Sequence, residues 1–202
     1  MSDEASPDEP LDRCSVPIYI QLQPHLRTGK KLRVETRYSC HESLNGYLLG
    51  LSEQLGLMQC FHDFMPDGYT VFRLSDCTSI RSNEHERHWD RMLAGERLLD
   101  GLHQDLHVDL KSILTVIETI SHQFEMMTIE VETTDGDYEF HIGLAISWDA
   151  HLVQFDGFDA LGQWESESSM IVSDEIAFIQ FDTPYINITR KYLSGSPPTY
   201  DE

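Results

Sequence analysis

Apolar and polar residues alternate over short stretches through most of the chain, and the alternation breaks once, near the middle. Leu32-Arg33-Val34-Glu35-Thr36-Arg37-Tyr38 runs with a period of two, the signature of a strand that buries one face. Two apolar stretches follow at 46–51 and 57–61, separated by a polar, glycine-containing turn. Pro66-Asp67-Gly68 signals a further turn before 69–74, a run rich in β-formers. Between 83 and 125 the period lengthens. Asn83 with Glu86 three residues on predicts a capped helix start, which Gly95 and Gly101 interrupt. Leu106, Leu110, Ile113, Ile117, Ile120 and Phe124 recur at steps of three and four, predicting a helix over 109–124, capped by Asp109, whose apolar face packs on a β unit. From 127 the alternation returns: 127–133, an Asp135-Gly136 hairpin turn, 138–146, 152–155, 169–172 and 176–181, with Ile186-Asn187-Ile188 as a last strand.

The two alternating regions share an order of features. Each opens with an alternating strand and a polar turn, then a strand carrying glycine, Gly50 in the first and Gly143 in the second. An apolar strand ends in Phe61-His62-Asp63-Phe64 or Phe155-Asp156-Gly157-Phe158, and a later strand carries a Ser-Asp step, Ser75-Asp76 or Ser173-Asp174. This self-similarity predicts a duplicated unit. Five short strands in so few residues predict a strongly bent small barrel, since a flat sheet would leave long exposed edges. The expected fold is therefore mainly β with a helical connector, as two tandem small β-barrels. Residues 14–82 and 126–193 form the barrels, and 83–125 the connector. Residues 1–13 and 194–202 are tails too poor in apolar residues to offset the entropy of ordering them.

Two stretches resemble the Sm-like family of small, SH3-like barrels. Gly143-Leu144-Ala145-Ile146-Ser147-Trp148-Asp149-Ala150-His151-Leu152-Val153 is similar to the first Sm motif: a glycine, an aromatic-Asp step, then a His-apolar strand. Ile80-Arg81-Ser82-Asn83 is similar to the Ile-Arg-Gly-Asn of the second. Neither half carries both motifs. No asparagine follows His151, and Phe178-Ile179-Gln180-Phe181 replaces the second motif in the second half. The resemblance implies the small barrel as a fold, and Arg81, Asn83 and His151 as nucleic-acid contacts.

Charge weighs against that last implication. The chain has 35 acidic and 14 basic residues, a net charge of −21. Such a surface repels phosphate backbones and anionic membranes and favours a basic partner. The one local basic cluster is Arg27-Thr28-Gly29-Lys30-Lys31-Leu32-Arg33, read as a solvated turn. The N-terminal stretch is acidic and has no basic secretory n-region, and no apolar run approaches the length of a membrane span. The four cysteines, Cys14, Cys40, Cys60 and Cys77, are widely spaced without a CxxC pair. Free thiols in a reducing cytoplasm are expected, and the Asn187-Ile188-Thr189 sequon then carries no meaning.

Candidate chemistry is sparse. His103 and His107 stand one helical turn apart, with His85 and His88 near in sequence, a set that can be weighed as metal ligands. Cys40-His41 and Cys60-Phe61-His62 can be weighed as a nucleophile pair, against buried core thiols. No phosphate-binding loop, dinucleotide fingerprint or nucleophile elbow occurs. No cofactor is expected, and the chain reads as a non-enzyme. Trp89, Trp148 and Trp164, with Phe64, Phe158 and Tyr69, supply aromatic surface for a protein contact if exposed together. The expected function is a non-catalytic protein-interaction or scaffold module with an acidic surface. The alternatives are an Sm-like RNA-binding protein and a His-based metal-dependent enzyme. Tandem units in one chain can stand in for two protomers of a ring, which leaves a homo-oligomer open.

Overall fold

Ten strands and four α-helices follow one another in the same order in each half of the computed structural model, which describes residues 16–38, 43–100, 102, 106–132 and 138–198. The acidic tail 1–13, residues 199–202, Cys14, Cys40, His41, His103 and the Asp135-Gly136 turn lie outside the described residues. The first half contains α1 (Ile18–Leu22), β1 (Leu32–Thr36), β2 (Ser43–Leu51), β3 (Leu55–His62), β4 (Met65–Arg73), β5 (Cys77–Arg81) and α2 (Glu84–Gly95). The second contains α3 (Ile113–Phe124), β6 (Met126–Glu132), β7 (Tyr138–Trp148), β8 (Leu152–Gly157), β9 (Ser169–Val172), β10 (Ile176–Phe181) and α4 (Pro184–Thr189). None of these helices is long and apolar enough to cross a membrane.

All ten strands join one antiparallel sheet in the order β5-β1-β2-β3-β4-β10-β6-β7-β8-β9. The mainly β expectation holds. The sheet is continuous and is not closed into a barrel, where the sequence predicted two separate ones. Its continuity has a local cause: β4 pairs with β10, from Tyr69↔Phe181 to Phe72↔Phe178. Arg73 seals that junction, its Nε donating to the Ile176 carbonyl (2.9 Å) and its Nη2 to that of Ser173 (2.8 Å).

Within the sheet the pairings of the two halves correspond residue by residue. Leu32↔Gly46↔Cys60 in β1, β2 and β3 matches Met127↔Gly143↔Gly157 in β6, β7 and β8. The register slips between Leu48 and Gly50 in one half and between Ala145 and Ser147 in the other. A second slip falls beside Thr36↔Cys77 and beside Val131↔Ile176. A bulge that recurs at one register position bends both halves at the same place. The turn before β3 and the one before β8 also agree: the Gln54 carbonyl accepts from Leu74 N–H and the His151 carbonyl from Ser173 N–H, each at 2.8 Å.

These registers correct the expected correspondences. Gly143 matches Gly46, not Gly50: a Cβ at Gly46 would lie 1.9 Å from the Gln59 carbonyl oxygen, and one at Gly143 1.9 Å from that of Asp156. Both sites need glycine because neighbouring backbones approach too closely for any side chain. The short 3-10 turns Leu74–Asp76 and Ser173–Glu175 align one residue away from the Ser-Asp match. Residues 186–188 are helical, not a strand, because Thr183 accepts from Ile186 N–H and Pro184 occupies the first turn. The turn predicted at Pro66-Asp67-Gly68 lies inside β4. The hairpin instead reverses at Asp63-Phe64, between His62 and Met65, with Asp63 at φ 50°. Asn83 and Glu86 form the predicted capping box, whereas α3 is capped by Ser112 and Thr115 and not by Asp109.

Two large apolar cores result, beside two small clusters under α2 and α4. One gathers Leu22, Leu32, Val34, Leu48, Met58 and Phe72 of the first half with Ala177 and Phe178 of β10. The larger joins Leu49, Leu57 and Val71 of the first half to Met127, Ile129, Phe155 and Ile179 of the second, under Ile113, Val116, Ile117 and Ile120 of α3. The helical face predicted from spacing is therefore buried on the sheet where the halves meet.

The close approaches set an order of sensitivity. Gly46→Ala and Gly143→Ala should each cost about 3 kcal/mol or more, because the obstacle is backbone. Gly50→Ala meets only the flexible end of Leu110, at 2.8 Å, and should cost about 1 kcal/mol. Urea unfolding midpoints at constant m-value decide this; equal midpoints for all three would refute the assigned register.

Candidate functional site

The helix α2 is mostly polar, yet its inward residues tie it to β2, β3, β5 and the residue before β1. Leu93 packs with Tyr47 and Phe61, whose rings meet edge-on at 5.6 Å. One turn earlier, Asp90 accepts the Tyr47 hydroxyl (2.8 Å) and the Lys31 N–H, at 3.1 and 3.2 Å to its two oxygens. Burial, and then the Asp90 hydrogen bond, push the Tyr47 phenol well above its ordinary range. A further turn back, buried Glu86 accepts from Arg81 Nε and Nη2, each at 2.8 Å, and from Asn83 N–H at 3.0 Å. Burial raises the Glu86 carboxyl, but the Arg81 guanidinium and the Asn83 and Glu86 backbone N–H groups outweigh it and hold the group below its ordinary value.

Trp89 lies beside this ladder. Its ring stacks on Phe64 of the β3–β4 turn (4.6 Å between centroids, 25° between planes), and Lys31 Nζ lies 5.2 Å from its centre. Burial lowers the Lys31 ammonium despite Glu86 and Asp90 nearby. Phe64 remains 40% exposed. With Arg91, Met92, Gly95, Glu96 and Leu98 it lines an open groove of about 570 Å³. The left-handed turn at Asp63 presents Phe64 to the helix.

The other nominated residues do not assemble here. Trp148 packs against the large core, and Trp164 packs edge-on to Phe158 (5.6 Å) beside α4, its Nε1 buried without a hydrogen-bond partner among the described residues. The three tryptophans thus occupy three separate places. His85 and His88 are exposed on α2, His88 Nδ1 facing Arg91 Nη2 at 3.2 Å. His107 is exposed in an irregular stretch, its carbonyl accepting from Gln123. Among the described residues no group of three or more His, Cys, Asp or Glu converges to hold a metal. Cys60 is buried, its thiol pushed up to about 11 by burial, and it donates to Thr70 Oγ1 at 3.3 Å. Cys77 is raised to about 12 by burial and by Asp76. Thiols so raised are poor nucleophiles.

No family model matches the chain, and no curated protein or solved structure is significantly similar to it. The residues singled out by the Sm resemblance have local partners. Arg81 is held by Glu86, and Asn83 caps α2 by accepting His85 N–H at 2.8 Å. His151 stands in an exposed turn where Asp149 accepts its N–H (2.8 Å) and that of Leu152 (2.9 Å), and these bonds depress the Asp149 carboxyl.

Asp90→Ala leaves the buried Tyr47 hydroxyl and the Lys31 N–H without an acceptor, and should lower stability by about 2–3 kcal/mol in urea unfolding. Asp90→Asn, which keeps one acceptor oxygen, should cost less than half of that. Glu86 supplies a pH test. Its depressed pKa adds stability above the ordinary carboxylate value of 4.5, lost as pH falls through the lower folded value. Below about pH 4.5 the wild type should therefore lose stability more steeply than Glu86→Gln. Parallel slopes would show that the carboxylate contributes nothing.

Proposed function

We propose that the chain is a tandem pair of Sm-like small β units acting as a non-catalytic protein-interaction module, whose groove beside α2 receives a basic, amphipathic segment of a partner protein. The residue-by-residue match of registers between the halves supports the tandem reading. The interaction reading is carried by one observation: Phe64, Met92 and Leu98 form an apolar groove, floored beside Trp89, on a chain of net charge −21. The charges that line the groove, Arg91 and Glu96, offset each other, so the preference for a basic segment comes from the net charge of the whole chain, which steers encounter, and the apolar face from the groove itself.

The location of the cations strengthens this reading. Six of the 14 basic residues serve internal acceptors or are buried. Arg27 donates to the Leu49 carbonyl, Arg33 pairs with Glu35, Arg37 with Asp76, and Arg81 with Glu86, while Arg73 seals the β4–β10 junction and Lys31 is buried at Trp89. Three of the four cations of the cluster 27–33, Arg27, Lys31 and Arg33, are thus structural, and the cluster offers little to a phosphate backbone. A cytoplasmic setting accords with the unpaired Cys60 and Cys77.

A fluorescent helical peptide with one Leu face and one Lys face should bind the full chain, more weakly as salt rises. The same peptide with Glu for Lys should not. Met92→Asp, a half-buried position on the groove wall, should reduce affinity by about tenfold or more while leaving the unfolding midpoint close to wild type. Equal binding of both peptides, or an unaffected Met92→Asp, would sink the reading. Tight binding of short A/U-rich RNA at low salt would replace it with the nucleic-acid alternative.

A further inference from the structure

The helix α3 passes into β6 through a single residue, Glu125. It turns the chain at φ 64° and ψ −65°, the rare and strained form of γ-turn. Glycine takes a positive φ without penalty and is the residue most often found just past a helix end. A glutamate in this place keeps the strain and adds only its side chain. Strain of this kind persists where the surroundings impose it, and it gathers at ligand-binding sites. Glu125 lines a cavity of about 390 Å³ between the end of α3 and α4.

That cavity collects charges of both signs. Asp182, just past β10, and Arg190, just past α4, share its lining with Glu125. Asn187 donates its side-chain amide to Asp182 Oδ1 at 2.7 Å, which fixes one oxygen of that carboxylate. Arg190 forms no ion pair with Glu125 or Asp182 among the described residues, although all three border one space. Elsewhere the chain closes such gaps: Arg81 binds Glu86 at 2.8 Å and Arg33 binds Glu35 at 2.7 Å. Opposite charges held apart across a cleft can both be met by one ligand that carries both. The carbonyls at the C-terminus of α3, the negative pole of its dipole, reinforce the acidic side. Phe124, Met126 and Ile186 supply apolar lining, and Phe124 is fixed by its contact with the Phe181 ring, 4.8 Å between centroids.

We propose that this cavity is a binding site for a free α-amino acid with an apolar side chain, its ammonium between Glu125 and Asp182 and its carboxylate on Arg190. The ligand's side chain lies against Phe124, Met126 and Ile186. A guanidinium offers a carboxylate two parallel N–H donors. An ammonium has three donors, enough for two carboxylates and a helix-end carbonyl. The volume falls within the range of about 300–1,000 Å³ typical of small-molecule pockets. A chain of net charge −21 repels simple anions, whereas a zwitterion brings its carboxylate without net negative charge. The cavity shares no residue with the groove beside α2, so either reading can fail without the other.

NMR titration of the isotope-labelled full chain with L-leucine, L-methionine and L-phenylalanine tests the proposal. At least one should shift the backbone signals of residues 122–126 and 182–190, with a Kd of about 1 mM or tighter. Its amide lacks the carboxylate charge and its N-acetyl derivative lacks the ammonium, so each should bind about tenfold more weakly or worse. Arg190→Gln, at an exposed position, should weaken binding by about tenfold or more and leave the urea midpoint close to wild type. Glu125→Gly should weaken binding yet raise the urea midpoint, because glycine relieves the turn. A purely structural residue would not move the two readouts in opposite directions. No binding of any of the three at about 10 mM, equal binding of the amide or the N-acetyl form, or wild-type affinity in either variant would overturn the proposal.

Discussion

The pairing of β4 with β10 is the contact on which the rest of the architecture depends. It turns two five-stranded runs into one sheet, and it brings Leu57 and Val71 into one core with Ile129 and Ile179. The arginine that seals it reaches carbonyls 100 and 103 residues away along the chain. Closing so long a loop costs entropy that no local contact returns, so the junction must be maintained by packing on both of its faces. One face is covered by α3, which lies between the halves in sequence and over their seam in space. The connector is therefore part of the large core that the two halves share.

The elements were legible because half-buried strands alternate visibly, and because α3 repeats its apolar residues every three to four positions. What sequence did not reveal was determined by distant backbone. Gly46 is needed because the Gln59 carbonyl passes where its side chain would be, and no local pattern distinguishes it from Gly50. The continuous sheet was hidden for a related reason: an edge strand carries the same alternation whether it pairs with its own half or the other. At 184–189, a proline in the first turn and a threonine cap override two isoleucines at strand spacing. The candidate site was half visible. Trp89 and Phe64 were both nominated for aromatic surface, but only the reversal at Asp63 brings one ring onto the other.

The residues that resembled a nucleic-acid motif illustrate how a short pattern can be satisfied by local needs. A strand that ends in Arg and continues through Asn into a helix places a guanidinium beside the helix start and a side-chain oxygen at its cap. Glu86 then serves both, bonding Arg81 and the Asn83 N–H. The histidine of the other motif contributes its backbone to a turn that Gln54 makes equally well in the first half. Backbone geometry and charge pairing thus account for the residue types at Arg81 and Asn83, whereas at His151 only the backbone is engaged in this turn.

The two halves share a backbone plan and differ in what they place on it. After the fifth strand, each half lays a helix on one pair of positions: Tyr47 and Phe61 under α2, Leu144 and Phe158 under α4. Under α2 the pair includes a buried phenol, and the helix is held by Asp90 and Glu86, leaving Met92 and Leu98 free to line a groove. Under α4 the contact is apolar, through Ile186 and Trp164, and no comparable ionic ladder ties that helix to the sheet among the described residues. Ionic ties fix a helix in register and orientation more sharply than apolar contact does, because they tolerate little displacement. A groove that must keep its shape is therefore better built on the first half. The second half, with Ile146, Met170 and Val172 uncovered along its outer edge, is the one whose surface is incomplete. The shared plan thus carries different surfaces in the two halves: a groove held beside α2 in the first, and an uncovered apolar edge along β9 in the second.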